Sequence, residues 1–166
     1  MDITQLILDD HHEQRRLFAI LEEIDPGDRD RLESVWSRLS AFLELHAEAE
    51  ERVFYPALLD LDRDAARAET EDAIHDHNDI RDAVAAVAEH PVGSDGWFQA
   101  IAKVNEANGD HMAEEEREGL ADFRRHAPLL RRHELGVDFA AFEARHLSGV
   151  DSDDKDPERY IEDHSD

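Results

Sequence analysis

The chain states one pattern twice. His46-Ala47-Glu48-Ala49-Glu50-Glu51-Arg52 and His111-Met112-Ala113-Glu114-Glu115-Glu116-Arg117 both read H-x-x-x-E-E-R. On an α-helix, residues four apart are offset by only about 40°, so His46 and Glu50 project from one face, as do His111 and Glu115. An imidazole and a carboxylate so placed can grip one cation. Frequency alone does not carry the argument, because 20 Glu in 166 residues give 11 histidines one or two such pairs by chance. Position does. His11 stands 35 residues before His46, and His77 stands 34 before His111, so the chain is an internal repeat of a lone His followed by H-x-x-x-E.

The apolar pattern around these residues is helical throughout. Ile3, Ile7, His11, Gln14, Phe18 and Leu21 form one stripe over 3–24, which Asp25-Pro26-Gly27-Asp28 stops. His12 lies beside Arg15 and Arg16, on the more exposed side. A second helix is expected over 29–59, with Asp28 as N-cap and a stripe running from Leu32 through Leu39, Phe42, Leu43, His46 and Glu50 to Phe54. Pro56 is expected to kink or loosen its last turn. After a polar link over 60–69, a third helix over 70–89 places His77 with Ala73, Ile74, Ile80, Val84 and Val87, while His75 joins Asp72, Asp79 and Asp82 on the charged side. The fourth, over 96–125, turns Phe98, Ile101, Val104, Asn108, His111, Met112 and Glu115 inward, with Gly109 as a soft spot worth about 1 kcal/mol against Ala.

Four long helices with short connections imply an all-α, antiparallel, up-and-down four-helix bundle. A shorter fifth helix over 129–147 completes a domain spanning 1–147, and 148–166 reads as an acidic, mobile tail. The formal net charge of -25 argues against nucleic acid and against anionic membrane surfaces as partners. The chain has no cysteine, which removes disulfides, thiolate metal sites and cysteine nucleophiles together. No charged-then-apolar leader or long apolar run opens the sequence, so a cytoplasmic location is expected.

In such a bundle the inward polar residues His11, His46, Glu50, His77, His111 and Glu115 share one region of the core. Two buried carboxylates without an inward Lys or Arg require compensation, and a cation is the natural one. Imidazole plus carboxylate without thiolate suits iron or manganese and admits zinc. If both Glu residues bridge two ions, the protein fills about eight of roughly twelve octahedral positions, which leaves an open dinuclear site. Glu51 and Glu116 are each placed to replace a neighbour as ligand. Asn105 and Asn108, a turn before His111, are candidates either to support the ligands or to fill the bundle. Tyr55 falls off the ligand face, which favours a structural role unless the Pro56 distortion brings it to the site. His90, His126, His133, His146 and His164 sit at helix ends or beyond the repeat and read as surface residues.

At these residues the chain resembles the hemerythrin-like, or HHE cation-binding, family. The likeness lies in Asp10-His11 followed by Leu17-Phe18, in His46-x-x-x-Glu50-Glu51 followed by Tyr55-Pro56, in His77-x-x-Ile80 and in His111-x-x-x-Glu115-Glu116, and it covers about residues 3–125. The resemblance implies a non-haem di-iron centre, oxo- or hydroxo-bridged, held by those six residues and binding or reacting with oxygen. Two departures set this chain apart. Oxygen-carrying hemerythrins have a second His four residues before the helix 3 ligand, where Ala73 stands here, and their last carboxylate is an Asp five residues after its His, where Glu116 stands. The pattern is closer to the bacterial hemerythrin-like and iron-sensing branch. That branch implies binding or sensing of oxygen, nitric oxide or peroxide, with catalase-like peroxide decomposition or iron sensing as the alternatives to simple transport.

Overall fold

The computed structural model describes residues 1–61, 63–151 and 153–165. Ser152 and Asp166 of the expected tail therefore lie outside the described residues, as does Asp62 of the polar link. Everything regular among the described residues is helical. Helix α1 (Ile3–Glu23) starts where the Asp2 side chain accepts the Thr4 N–H, and α2 (Arg29–Ala49) starts where Asp28 does the same for Arg31. A short π-helical segment (Glu50–Phe54) joins α2 to α3 (Tyr55–Leu59). Next come α4 (Asp64–Val87), α5 (Asp95–Arg117, N-capped by Ser94), α6 (Gly119–His126), α7 (Leu129–Arg145) and α8 (Pro157–His164).

Four departures from the sequence reading bear on the site. The distortion attributed to Pro56 begins earlier, at Glu50. There the Tyr55 N–H reaches the Glu50 carbonyl, five residues back, instead of one four back. Widening the turn just ahead of Pro56 accommodates a ring that would otherwise press on the carbonyl of Arg52. The third helix starts at Asp64, so the polar link is shorter than expected. The Ala-rich stretch Ala65-Ala66-Arg67-Ala68 continues the helix, and Thr70 Oγ1 donates back to the Ala66 carbonyl at 2.8 Å. The fourth helix breaks at Glu118, and the Gly119 N–H freed there donates to Glu69 Oε1 at 2.9 Å.

The fourth departure is the tail. Residues 157–164 form α8, which packs on α4 and buries Tyr160 and Ile161. Pro157 at the first helical position and Asp156 as N-cap are a regular helix start. The acidic composition conceals two apolar anchors, spaced so that one short helix can bury both.

Two apolar clusters bracket a polar layer. One holds Ile3, Ile7, Phe54, Ile74, Leu120, Phe123 and Phe139 among others, and the second holds Leu17, Phe18, Leu21, Leu32, Leu39, Leu43, Trp97, Ile101 and Val104. Between them lie His11 on α1, His46 at the end of α2, His77 on α4 and His111 on α5, all buried. The chain passes from the first cluster through the layer to the second along α1 and α4, and the other way along α2 and α5. Helix α7 packs on α1 and α2 across the same level, and Gly136 allows the approach, because a Cβ there would lie 3.1 Å from the Ile3 nitrogen. No helix among the described residues is long and apolar enough to cross a membrane.

Candidate metal centre

Each of the six residues singled out by the repeat is buried, and their polar ends converge. Glu50 sits at the middle. Its Oε1 lies 3.0 Å from His46 Nε2 and 3.9 Å from His11 Nε2, and its Oε2 lies 3.3 Å from His77 Nε2. His77 Nε2 in turn lies 3.1 Å from His111 Nε2. Ligand atoms therefore gather in two groups, His11 with His46 and Glu50, and Glu50 with His77 and His111. Glu50 belongs to both. Glu115 stands at the border, with Oε2 3.4 Å from His11 Nε2 and Oε1 accepting the Tyr55 hydroxyl at 3.0 Å. The two carboxylates are thus not equivalent, as the bare repeat suggests they are.

Behind every imidazole stands a carboxylate. His11 Nδ1 meets Glu116 Oε1 at 3.0 Å, His46 Nδ1 meets Asp10 Oδ2 at 3.1 Å, His77 Nδ1 meets Glu51 Oε1 at 2.8 Å, and His111 Nδ1 faces Asp76 Oδ2 at 3.4 Å. A carboxylate that accepts the Nδ1 proton fixes the tautomer with a bare lone pair on Nε2, which is the form that ligates a metal. Glu51 and Glu116, weighed from sequence as substitutes for Glu50 and Glu115, lie on the outer side in this supporting role. The π-helical turn makes this possible for Glu51, since the extra residue in the turn buries Glu50, Glu51, Phe54 and Tyr55 together.

Inside this ring, His11 Nε2, His46 Nε2, both Glu50 oxygens and Glu115 Oε2 are buried with no hydrogen-bond partner. The 3.0 Å approach of His46 to Glu50 lacks the alignment that a hydrogen bond needs. Buried polar atoms are ordinarily satisfied, and five converging orphans, two imidazole nitrogens and three carboxylate oxygens, mark a place where a cation fits. Without one, protons must serve. Burial opposes charge on His46 and His77, yet Glu50 and Asp10 raise His46 well above the ordinary imidazole range, and Glu50 and Glu51 raise His77 to about 9. Burial likewise opposes charge on Glu50, but His46 and His77 hold it well below the usual carboxylate range. Tyr55 is pushed well up, first by burial and then by Glu115, so its phenol keeps its proton.

Basic side chains do reach the outer carboxylates, where none was expected. Arg81 donates to Glu51 at 2.9 Å and Arg15 to Glu116 at 2.8 Å. Glu50 has no such partner among the described residues. Asn108 is buried but gives its amide to Gln14 Oε1 at 2.9 Å and to Met112 Sδ, so its donors serve the bundle and not the ligands. His12 and His75 are exposed, as their stripes require. The sequence reading missed Asp76, Arg81 and Lys155, whose partners in the site, His111 and Glu51, lie 30 or more residues away. Asp76 alone carries a local sign, standing just before His77 as Asp10 stands before His11.

Fold and site together define an all-helical protein with a buried His/Glu cluster suited to cations. The chain belongs to the family of the hemerythrin HHE cation binding domain, whose family model matches residues 2–123. No curated protein and no solved structure matches it.

Proposed function

We propose that this protein carries a non-haem di-iron centre that binds or senses oxygen or a related small ligand such as nitric oxide or peroxide. The observation that carries the reading is the shared Glu50, whose two unpartnered oxygens face two separate groups of imidazole nitrogens. The alternation of cluster, layer and cluster along α1, α2, α4 and α5 supports an up-and-down antiparallel bundle as the frame. His11, His46 and Glu50 would hold one ion and Glu50, His77 and His111 the other, with Glu115 added through Oε2. Two such ions supply redox chemistry and open positions for an exogenous ligand. Manganese and zinc fit the same donors, and the family membership favours iron. The expected location is the cytoplasm.

The protein's own part is to orient and to desolvate. Outer carboxylates hold three imidazoles by hydrogen bonds and face the fourth, and apolar clusters on both sides keep bulk water from the layer. Tyr55 favours a second reading, catalase-like decomposition of peroxide. Its hydroxyl donates to Glu115 Oε1 with 3.0 Å between the oxygens, so a proton-bearing group would stand beside a peroxide held at the ions.

One experiment separates these readings. Iron-loaded, reduced protein is exposed to air and then to peroxide, with optical spectra and evolved gas recorded together. With no second His at Ala73 and open positions at the ions, fast autoxidation and peroxide binding are expected. Gas evolution that falls in Tyr55→Phe with iron content unchanged supports the peroxide reading. A reversible oxygen adduct stable for hours restores a carrier, and inertness to both reagents removes the proposal.

A further inference from the structure

The segment after the family domain reaches back into the site. Lys155 Nζ donates to Glu48 Oε2 at 2.7 Å and closely to Glu51 Oε2, two carboxylates that are themselves buried. Its backbone is clamped to α4, since the Lys155 N–H donates to Asn78 Oδ1 at 3.0 Å and Asn78 Nδ2 donates to the Lys155 carbonyl at 2.7 Å. Asn78 follows His77 directly. Five residues on, the Tyr160 hydroxyl donates to the Glu51 backbone carbonyl. One strand of chain thus ties the π-helical turn that presents Glu50 and Glu51 to the helix that presents His77.

The charges explain why a lysine stands there. Glu48 and Glu51 both lose their water on folding, and Arg52 and Arg81 each answer one oxygen of one of them, Glu48 Oε1 at 2.6 Å and Glu51 Oε1 at 2.9 Å. Lys155 is the cation set between the pair. Glu51 Oε1 is the acceptor that holds His77 Nδ1, so the position of Glu51 decides where His77 Nε2 points.

We propose that Lys155 is a positioning residue for the metal centre, acting through Glu51 on His77, and that the C-terminal segment is a working part of the site. Lys155 and Tyr160 lie beyond residue 123, where the family match ends, so this contribution is made by the chain's own extension. The inference rests on the metal-site reading above. It adds that ligand geometry at one ion depends on a side chain that touches no ligand atom.

Cobalt(II) is the probe, titrated into wild type, Lys155→Met, Lys155→Arg, Tyr160→Phe and, as a charge control, Lys103→Met, with affinity and visible absorption bands read together. Lys103, the other lysine, is exposed on α5. Metal-free melting and far-UV circular dichroism report folding. Lys155→Met is expected to weaken cobalt binding about tenfold and to shift the bands, as removal of a support behind a ligating His does. Lys155→Arg should recover most of both, Tyr160→Phe should show the same shift in smaller degree, and Lys103→Met should match wild type. If Lys155→Met does not fold, the Tyr160→Phe and Lys155→Arg spectra decide. Wild-type affinity and bands in Lys155→Met, or in Tyr160→Phe where that decides, overturn the inference while leaving the metal site standing. Wild type that takes up no cobalt overturns both.

Discussion

The Nε2 atoms of His77 and His111 lie 3.1 Å apart in a buried layer, while their Nδ1 atoms face Glu51 at 2.8 Å and Asp76 at 3.4 Å. Two lone pairs cannot rest at that distance with nothing between them. A proton shared by the rings or a cation held by both resolves the conflict, and the neighbouring Glu50 oxygens make the cation the stronger partner.

Metal uptake should therefore release protons. In the metal-free chain His77 titrates at about 9 and His46 is raised well above its ordinary value, so both are charged at neutral pH. Binding must displace those protons and the share held by His11, where burial opposes charge but Glu115 and Glu116 raise the imidazole, so about two or more leave per chain at pH 7. Calorimetric titrations in two buffers of different ionisation enthalpy measure the number directly. No release would mean that the imidazoles are not the ligands.

Register gives a sharper contrast. His77→Ala should remove one ion or most of the affinity, because its ring faces Glu50 and His111 from inside the layer. His75→Ala and His12→Ala should leave the stoichiometry unchanged, since both rings are exposed. Elemental analysis of the three variants checks this, and damage from His75→Ala alone would place α4 half a turn away.

Much of this was legible in the chain itself. The period-3.6 stripes separate His77 from His75 and His11 from His12, and the repeat picks out six residues that the fold buries in one layer. Hidden from that arithmetic is anything that breaks the period. The π-helical turn adds a residue at Glu50, which brings Glu51 and Tyr55 inward when a regular helix would leave them aside. At the break after Glu118 the freed Gly119 N–H is accepted by Glu69, 50 residues before Gly119. Lys155 meets Glu51 across more than a hundred residues, and its surroundings in sequence are those of an acidic tail. Local composition describes the solvent-facing majority of such a segment, and its two buried anchors, Tyr160 and Ile161, are outvoted.

A second titration should be visible in stability. Burial, with Glu118, Glu115 and Glu114 nearby, pushes the Glu69 carboxyl up to about 8, against the pull of the Gly119 N–H. A carboxyl whose folded pKa exceeds its unfolded one binds its proton more tightly in the folded state, so stability present at low pH is lost as pH rises through about 8. Glu69→Gln keeps the acceptor for Gly119 and removes the charge. After discounting for its partial exposure, the variant should gain about 1 kcal/mol, or about 3 °C in Tm, at pH 9. The gain should vanish towards pH 5 in metal-free protein. Melting curves across that range test it, and an unchanged difference at both ends would refute it.

The central claim is that Glu50 joins two ions in one buried layer, and iron per chain measures it most directly. Protein loaded with ferrous iron without oxygen, freed of excess and analysed for metal and protein should hold about two irons per chain, as a dinuclear site requires. Glu50→Gln should fall to one or fewer with the helical fold retained. Wild type holding one iron or fewer, or a Glu50→Gln variant holding as much as wild type, would contradict the account.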